Sequence, residues 1–139
     1  MGKSIIEAMT SNPCAIESDR SVAYAAKMMK QEDVGVAPIV ESGRLIGMLT
    51  DRDIVVRVVA EGKDPDSVSV RDVASSNVVT IDPQQDLDEA LRLMARYQVR
   101  RLPVVEEDGR LVGVIAQADV AEDAKAKKTG EMVEEISRN

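Results

Sequence analysis

The sequence has no histidine, phenylalanine or tryptophan, one cysteine (Cys14) and two tyrosines (Tyr24 and Tyr97). Each shortage closes off a class of chemistry. Without histidine there is no His-dependent triad and no His–Cys zinc site, and one cysteine forms no disulfide within the chain. Two aromatic rings do not make a platform for stacking a row of bases. Positive charge is also short: 18 Lys and Arg stand against 25 Asp and Glu, and the formal charge of −7 repels a phosphate backbone. No nucleic-acid partner is expected. No apolar run has the length of a membrane span, and Met1 to Thr10 lacks the apolar core of a signal peptide, so a cytoplasmic setting without a membrane partner is expected. A Gly-rich phosphate loop ending in lysine is missing as well. Asp51 and Asp53 lie too close along one helical turn to take separated acid and base roles, so neither an enzyme nor a resident metal is expected.

What the chain does have is aliphatic. Hydrophobic residues make up 44% of 139 positions, enough Val, Ile, Leu, Met and Ala to bury a real interior. They are written out twice. Ile16 falls on Ile81, Met29 on Met94 and Pro38 on Pro103; Gly47 falls on Gly113 after one extra residue, Asp108. Each copy opens with a short apolar strand (Cys14–Ile16 or Val78–Ile81) and continues into a helix. Val22, Ala25, Ala26 and Met29 recur at i, i+3, i+4, i+7, as do Leu87, Ala90, Leu91 and Met94. A proline-bearing strand follows, "VAPIV" or "RLPVV", then a turn at Gly43 or Gly109. A second strand, "RLIGML" or "RLVGVI", runs into a second helix near Asp51 or Gln117.

The fold class expected is therefore α+β (mixed α/β), built from tandem β-α-β-β-α repeats, each too small to cover its own sheet alone. The boundaries expected are a first repeat at 1–61, a polar linker at 62–69, a second repeat at 70–124 and a helical tail at 125–139. In the tail, Lys125, Lys127 and Lys128 form a small basic run, and Met132, Val133 and Ile136 a short apolar stripe. Cys14 reads as a small buried apolar residue, Met28, Met29 and Met94 as core or dimer face, and Tyr97 as packing at its helix end.

These residues resemble a tandem CBS-domain pair, the module named after cystathionine β-synthase, over roughly residues 5 to 122. The likeness rests on "RLIGMLTDRDI" with "RLVGVIAQADV", on "VGVAPIVE" with "VRRLPVVE", and on the openings "NPCAI" and "NVVTIDP". The chain looks like a stand-alone bacterial or archaeal CBS-pair protein, a group that includes the hypoxic-response type. The resemblance implies two clefts between the repeats, often occupied by adenosine nucleotides, and assembly of two pairs into a homodimer that signals to an effector protein.

It also implies a role for particular residues. The main cleft would take Thr50 and Asp53 from the first repeat as hydroxyl and ribose-binding acid. Val79, Thr80, Ile81, Arg100, Arg101, Leu102 and Pro103 of the second repeat would meet adenine and phosphate there. A carboxylate accepts two hydrogen bonds from a sugar diol, and an arginine fork suits phosphate oxygens. The weaker cleft would take Asp119 with Cys14, Ala15, Ile16, Val36, Ala37 and Pro38. There Ala116 stands for Thr50, Ala15 for Thr80 and Val36 for Arg101, so an uncharged nucleoside, or no ligand, is expected. AMP, ADP or ATP fits the main cleft best, and NAD and S-adenosylmethionine share the adenosine. The rival reading of "TDRD" is a capping box, in which Thr50 caps the helix and Asp53 bonds back to its amide. The rival for the whole chain is a ligand-independent dimerisation module with relict clefts.

Overall fold

Ser21 holds the backbone extended and accepts the Tyr24 amide at 3.0 Å, which starts the first long helix, α2 (Val22–Glu32). Asp33, in the left-handed region at φ 54°, ends it, and the Val34 amide turns back to the Met29 carbonyl at 3.0 Å. The second repeat does the same: Asp86 caps α4 (Leu87–Tyr97), Gln98 ends it at φ 55°, and Val99 N–H returns to the Met94 carbonyl. The computed structural model describes residues 4–122, and these two helices are the longest elements within them. Val22, Ala25 and Met29 are buried on α2, and Leu87, Ala90 and Met94 on α4. The i+4 members of the expected stripes, Ala26 and Leu91, are exposed on both helices, so each buried stripe is narrower than its spacing suggests.

The fold is mixed α+β, in two compact units that do not follow the order of the chain. The first comprises Asn12–Val78 with Glu107–Leu111. Its sheet has the order β1–β2–β3, with β1 (Ile16–Glu17) parallel to β2 (Val36–Glu41) and β2 antiparallel to β3 (Arg44–Thr50). The short helix α3 (Asp51–Ile54) follows β3 and widens into a π-helical turn at Val55–Val59. A 3-10 turn lies at Val70–Asp72. Ile16, Ile39, Leu49, Val58, Val70 and Val73 join the α2 stripe in one core. The opening strand is shorter than expected because the Ala15 amide turns back onto the Pro13 carbonyl at 2.7 Å, leaving Cys14 half-buried rather than within a strand.

The second unit comprises the described parts of Met1–Ser11, Val79–Glu106 and Val112–Asn139. Here β4 (Arg101–Val105) pairs with β5 (Leu111–Ala116), and the opening strand is reduced to a single parallel bridge, Ile81 to Val104. Ile81 N–H donates to the Pro103 carbonyl (3.0 Å) and Val105 N–H to the Ile81 carbonyl (2.9 Å). The helix expected near Gln117 begins there, and the C-terminal tail expected at 125–139 lies outside the described residues. The short helix α1 (Ile5–Ala8) puts the fully buried Ile5 into this unit's core with Leu102, Val104, Ile115 and the α4 stripe.

Each unit is closed by a segment from the opening of the other repeat. Met48 and Ser75 exchange both backbone hydrogen bonds at 2.9 Å in the first unit, and Thr10 and Val114 do so at 2.9 and 3.1 Å in the second. The glycine repeated in "LIGML" and "LVGVI" permits this approach. A Cβ on Gly47 would stand 2.8 Å from the Ser75 carbonyl oxygen, and one on Gly113 2.7 Å from that of Thr10.

Candidate functional site

Thr50 is the last residue of β3, and the capping box expected from "TDRD" is present. Thr50 Oγ1 accepts the Asp53 amide at 3.0 Å while Asp53 Oδ2 accepts the Thr50 amide at 2.9 Å. The other carboxylate oxygen, Oδ1, lies 3.9 Å from Arg57 Nε, an electrostatic contact beyond hydrogen-bond length. Arg57 itself donates from Nη1 to the Val73 carbonyl at 2.8 Å, so it ties the π-helical turn to the 3-10 segment behind the acid. Arg57 lies four residues after Asp53; i, i+4 spacing of acid and base was the signal available for finding it. Asp53 is mostly buried, with 14% of its side chain exposed, and Oδ1 keeps acceptor capacity.

Val36 is paired with Thr50, Ala37 with Leu49 and Pro38 with Met48, so three weaker-cleft residues share a sheet with the main-cleft hydroxyl. Ile16 and Ala37 are committed to the core, whereas Cys14, Ala15 and Val36 are half-buried. Burial, and secondarily the negative charge of Glu32, pushes the Cys14 thiol above its ordinary 9.0. A pocket of about 360 Å³ lies between α2 and α3 of this unit; Met29, Lys30, Val34, Asp51, Ile54 and Val55 are among its lining residues. Beside it the π-helical turn leaves Val55, Val56 and Val59 exposed.

In the second unit Asp119 Oδ2 accepts the Ala116 amide at 2.9 Å. This is the carboxylate half of the same capping box, kept although Ala116 has no hydroxyl with which to complete it. Ile81 and Leu102 are buried at 3% and 0% exposure, so their side chains belong to the core, and the Ile81 amide and carbonyl are already engaged by the sheet. Pro103 is buried as well, Val79 is half-buried, and Thr80 is exposed. Arg100 and Arg101 are exposed at the start of β4 and line a pocket with Ala116, which places them at the same sheet end as the Asp119 helix start.

Two sequence features escaped the reading of residue types. The Gln117 amide donates to the Arg100 carbonyl at 2.7 Å, and the Asp51 amide donates to the Gly35 carbonyl at 3.0 Å, the same bond in both repeats. Backbone-to-backbone bonds of this kind leave no trace in side-chain chemistry. Among the described residues no cluster of three or more His, Cys, Asp or Glu is placed to hold a metal ion, and no helix is long and apolar enough to cross a membrane.

The sequence model of one family, the CBS domain, matches residues 3–60 and again 70–125. The CBS domain-containing protein YhcV of Bacillus subtilis is 42% identical over 118 residues, 85% of this chain and 83% of that protein. Hypoxic response protein 1 of Mycobacterium tuberculosis is 37% identical over 114 residues, covering 81% and 79%. A crystal structure of hypoxic response protein I with two coordinated zinc ions superposes with a TM-score of 0.78 at 35% identity, over 86% of this chain and 98% of that one. The CBS domain pair of protein MJ0100, in complex with 5-methylthioadenosine and S-adenosyl-L-methionine, gives 0.73 at 25% identity, over 86% and 98%.

Proposed function

The chain belongs to the CBS-domain family, carrying two copies in tandem, and from that premise we propose that it is a regulatory, non-catalytic module that binds an adenosine nucleotide and signals through a homodimer. The observation that carries the reading is the acid repeated at the start of the helix after the second strand of each copy. Asp53 and Asp119 are each held by a back-bond to the amide three residues earlier, at 2.9 Å. A carboxylate so oriented presents its remaining lone pairs in a fixed direction, which suits the two hydroxyls of a ribose. MJ0100, a relative built on the same fold, binds two adenosine-containing ligands.

In this reading Thr50 and Asp53 hold the ribose, backbone groups beside Val79 and Leu102 read the adenine, and Arg100 and Arg101 meet the phosphates of AMP, ADP or ATP. Where a buried side chain leaves only backbone to offer, as at Leu102, recognition is by main-chain hydrogen bonds. Zinc, which a relative coordinates, is a poor match: the chain has no histidine and one cysteine, so the usual imidazole and thiolate donors are lacking. The module works in the cytoplasm, and its effector is a protein that reads the dimer.

A second reading, a dimerisation module without a ligand, draws on the exposed Val55, Val56 and Val59 beside the α2–α3 pocket. Melting the full chain with AMP, ADP and ATP separates the two. A ligand that binds only the folded state adds about 2.7 kcal/mol at a hundred times its Kd, and the melting point rises with dose. Asp53→Asn is the informative variant, because its carboxamide oxygen still accepts the Thr50 amide. We expect it to abolish the rise, and Asp119→Asn to leave most of it. A melting point unmoved by every nucleotide, in a chain that is dimeric on a sizing column, establishes the second reading instead.

A further inference from the structure

The helix after β3 does not continue as it begins. Past the capped turn at Asp51–Ile54 it widens, and the Ala60 amide donates to the Val55 carbonyl, five residues back, at 2.8 Å. Single π-turns are rare and recur at functional sites. Within this one Val58 is fully buried, Val55, Val56 and Val59 are exposed, and Arg57 is the residue that reaches the acid.

Arg57 is bonded at one end and stands off at the other. Its Nη1 donates to the Val73 carbonyl at 2.8 Å, while Nε lies 3.9 Å from Asp53 Oδ1. The first contact is a hydrogen bond and the second is electrostatic only. Asp53 commits Oδ2 to the Thr50 amide at 2.9 Å, which leaves Oδ1 as the oxygen able to accept from a ligand. A cation any closer would take those lone pairs in a charge-assisted bond and block the acid. With no cation there, the carboxylate plane would be restrained from one side alone. Anchored on Val73, the guanidinium is near enough to orient Oδ1 and too far to occupy it. The anchor is itself well held: Val73 is buried and lies two residues before Ser75, whose backbone exchanges both hydrogen bonds with Met48 of β3 at 2.9 Å.

We propose that Arg57 is a positioning residue for the ribose-binding acid, holding Asp53 Oδ1 in place for the sugar diol by its charge and without touching the ligand itself. The role rests on the adenosine reading, and it gives the two acids unequal competence. Asp53 is restrained at both oxygens, one by the Thr50 amide and one by the guanidinium. Asp119 has the matching back-bond, but four residues later the sequence carries Asp123, an acid in the place of the arginine, which lies outside the described residues.

The isotope-labelled full chain is titrated with AMP, ADP and ATP, following backbone amide signals. The tightest binder is then compared with its 2′,3′-dideoxy form, which keeps adenine and phosphate and offers the acid no hydroxyl. Arg57→Gln is expected to weaken the nucleotide about fivefold, the upper end for a half-exposed ion pair. Arg57→Lys, which keeps the charge and loses the fork, recovers part of that loss. The dideoxy form binds more weakly, and equally to the unaltered chain and to Arg57→Gln. Unshifted core signals from Ile39 and Leu49 show that each variant is folded. If Arg57→Gln binds the nucleotide as well as the unaltered chain or better, Arg57 does not position the acid, and the adenosine reading survives. If Arg57→Gln loses the nucleotide and its dideoxy form in equal measure, the arginine serves the fold alone and the role is overturned. If none of the three nucleotides moves a signal of the unaltered chain, the adenosine reading falls and takes this role with it.

Discussion

The two repeats end their second strand in the same way and then part company. After β3, Thr50 and Asp53 satisfy each other's amides; after β5, Asp119 satisfies the Ala116 amide and receives nothing in return. The shared part is the acid bonded back onto the chain, and the hydroxyl is optional. An acid at this position therefore has structural work to do in both units, whatever else it binds, and only a substitution that preserves the back-bond isolates its role toward a ligand.

The comparison is tested hardest in the cores. Leu49 and Ile115 occupy matching positions at 0% exposure. Truncating either to alanine should cost about 2–5 kcal/mol, read as a loss of stability to urea. Amide exchange should speed up mainly in the unit that holds the altered residue. Uniform loosening from either change would show one cooperative body in place of two. Next comes the crossing glycine. Gly47→Ala presses a methyl against the Ser75 carbonyl at 2.8 Å, backbone that cannot swing aside, and should cost about 1–3 kcal/mol. Gly113→Ala meets the Thr10 carbonyl at 2.7 Å and the Met9 side chain besides, and should cost the same or more.

The caps themselves give a smaller, reciprocal pair. Thr50→Ala should cost about 0.5–2 kcal/mol, and Ala116→Thr should return up to about 1 kcal/mol by completing the second box. No gain from Ala116→Thr would mean that the second helix start lacks the geometry for a hydroxyl cap. The smallest effect is at Cys14. Its thiol is raised above 9.0 in the folded chain, so any contribution to stability is intact below pH 9 and is lost as pH climbs through the folded value. Thiol labelling at neutral pH should accordingly be slower in the folded chain than in urea.

Much of this was legible in the order of residue types. The repeat, the helical stripes and the acid three residues past each second strand all follow from periodicity and alignment, and the helices stand where Val22 and Leu87 open their stripes. Side-chain direction was less legible. Ala26 and Leu91 fit an i+4 pattern and still face outward, because the sheet beneath each helix covers a narrower arc than the pattern fills. The candidate site divided in the same way. Thr50, Asp53 and Asp119 could be picked out because a cap or a ligand needs those very groups. Ile81 and Leu102 could not be sorted into core or surface from sequence, since aliphatic residues suit either. Arg57 was signalled only by its i, i+4 spacing from Asp53, because its main partner is a backbone carbonyl, which every residue owns.

The closing segments carry a further consequence. Ser75 belongs to the opening of the second copy and completes the first sheet, while Thr10 belongs to the opening of the first copy and completes the second. A gene fragment cut at the edge of either copy would encode a fold lacking its last piece and carrying its sibling's. Two such fragments made separately and mixed have every reason to find each other. An ancestor with a single copy could have been whole only by lending its leading residues to another molecule of itself.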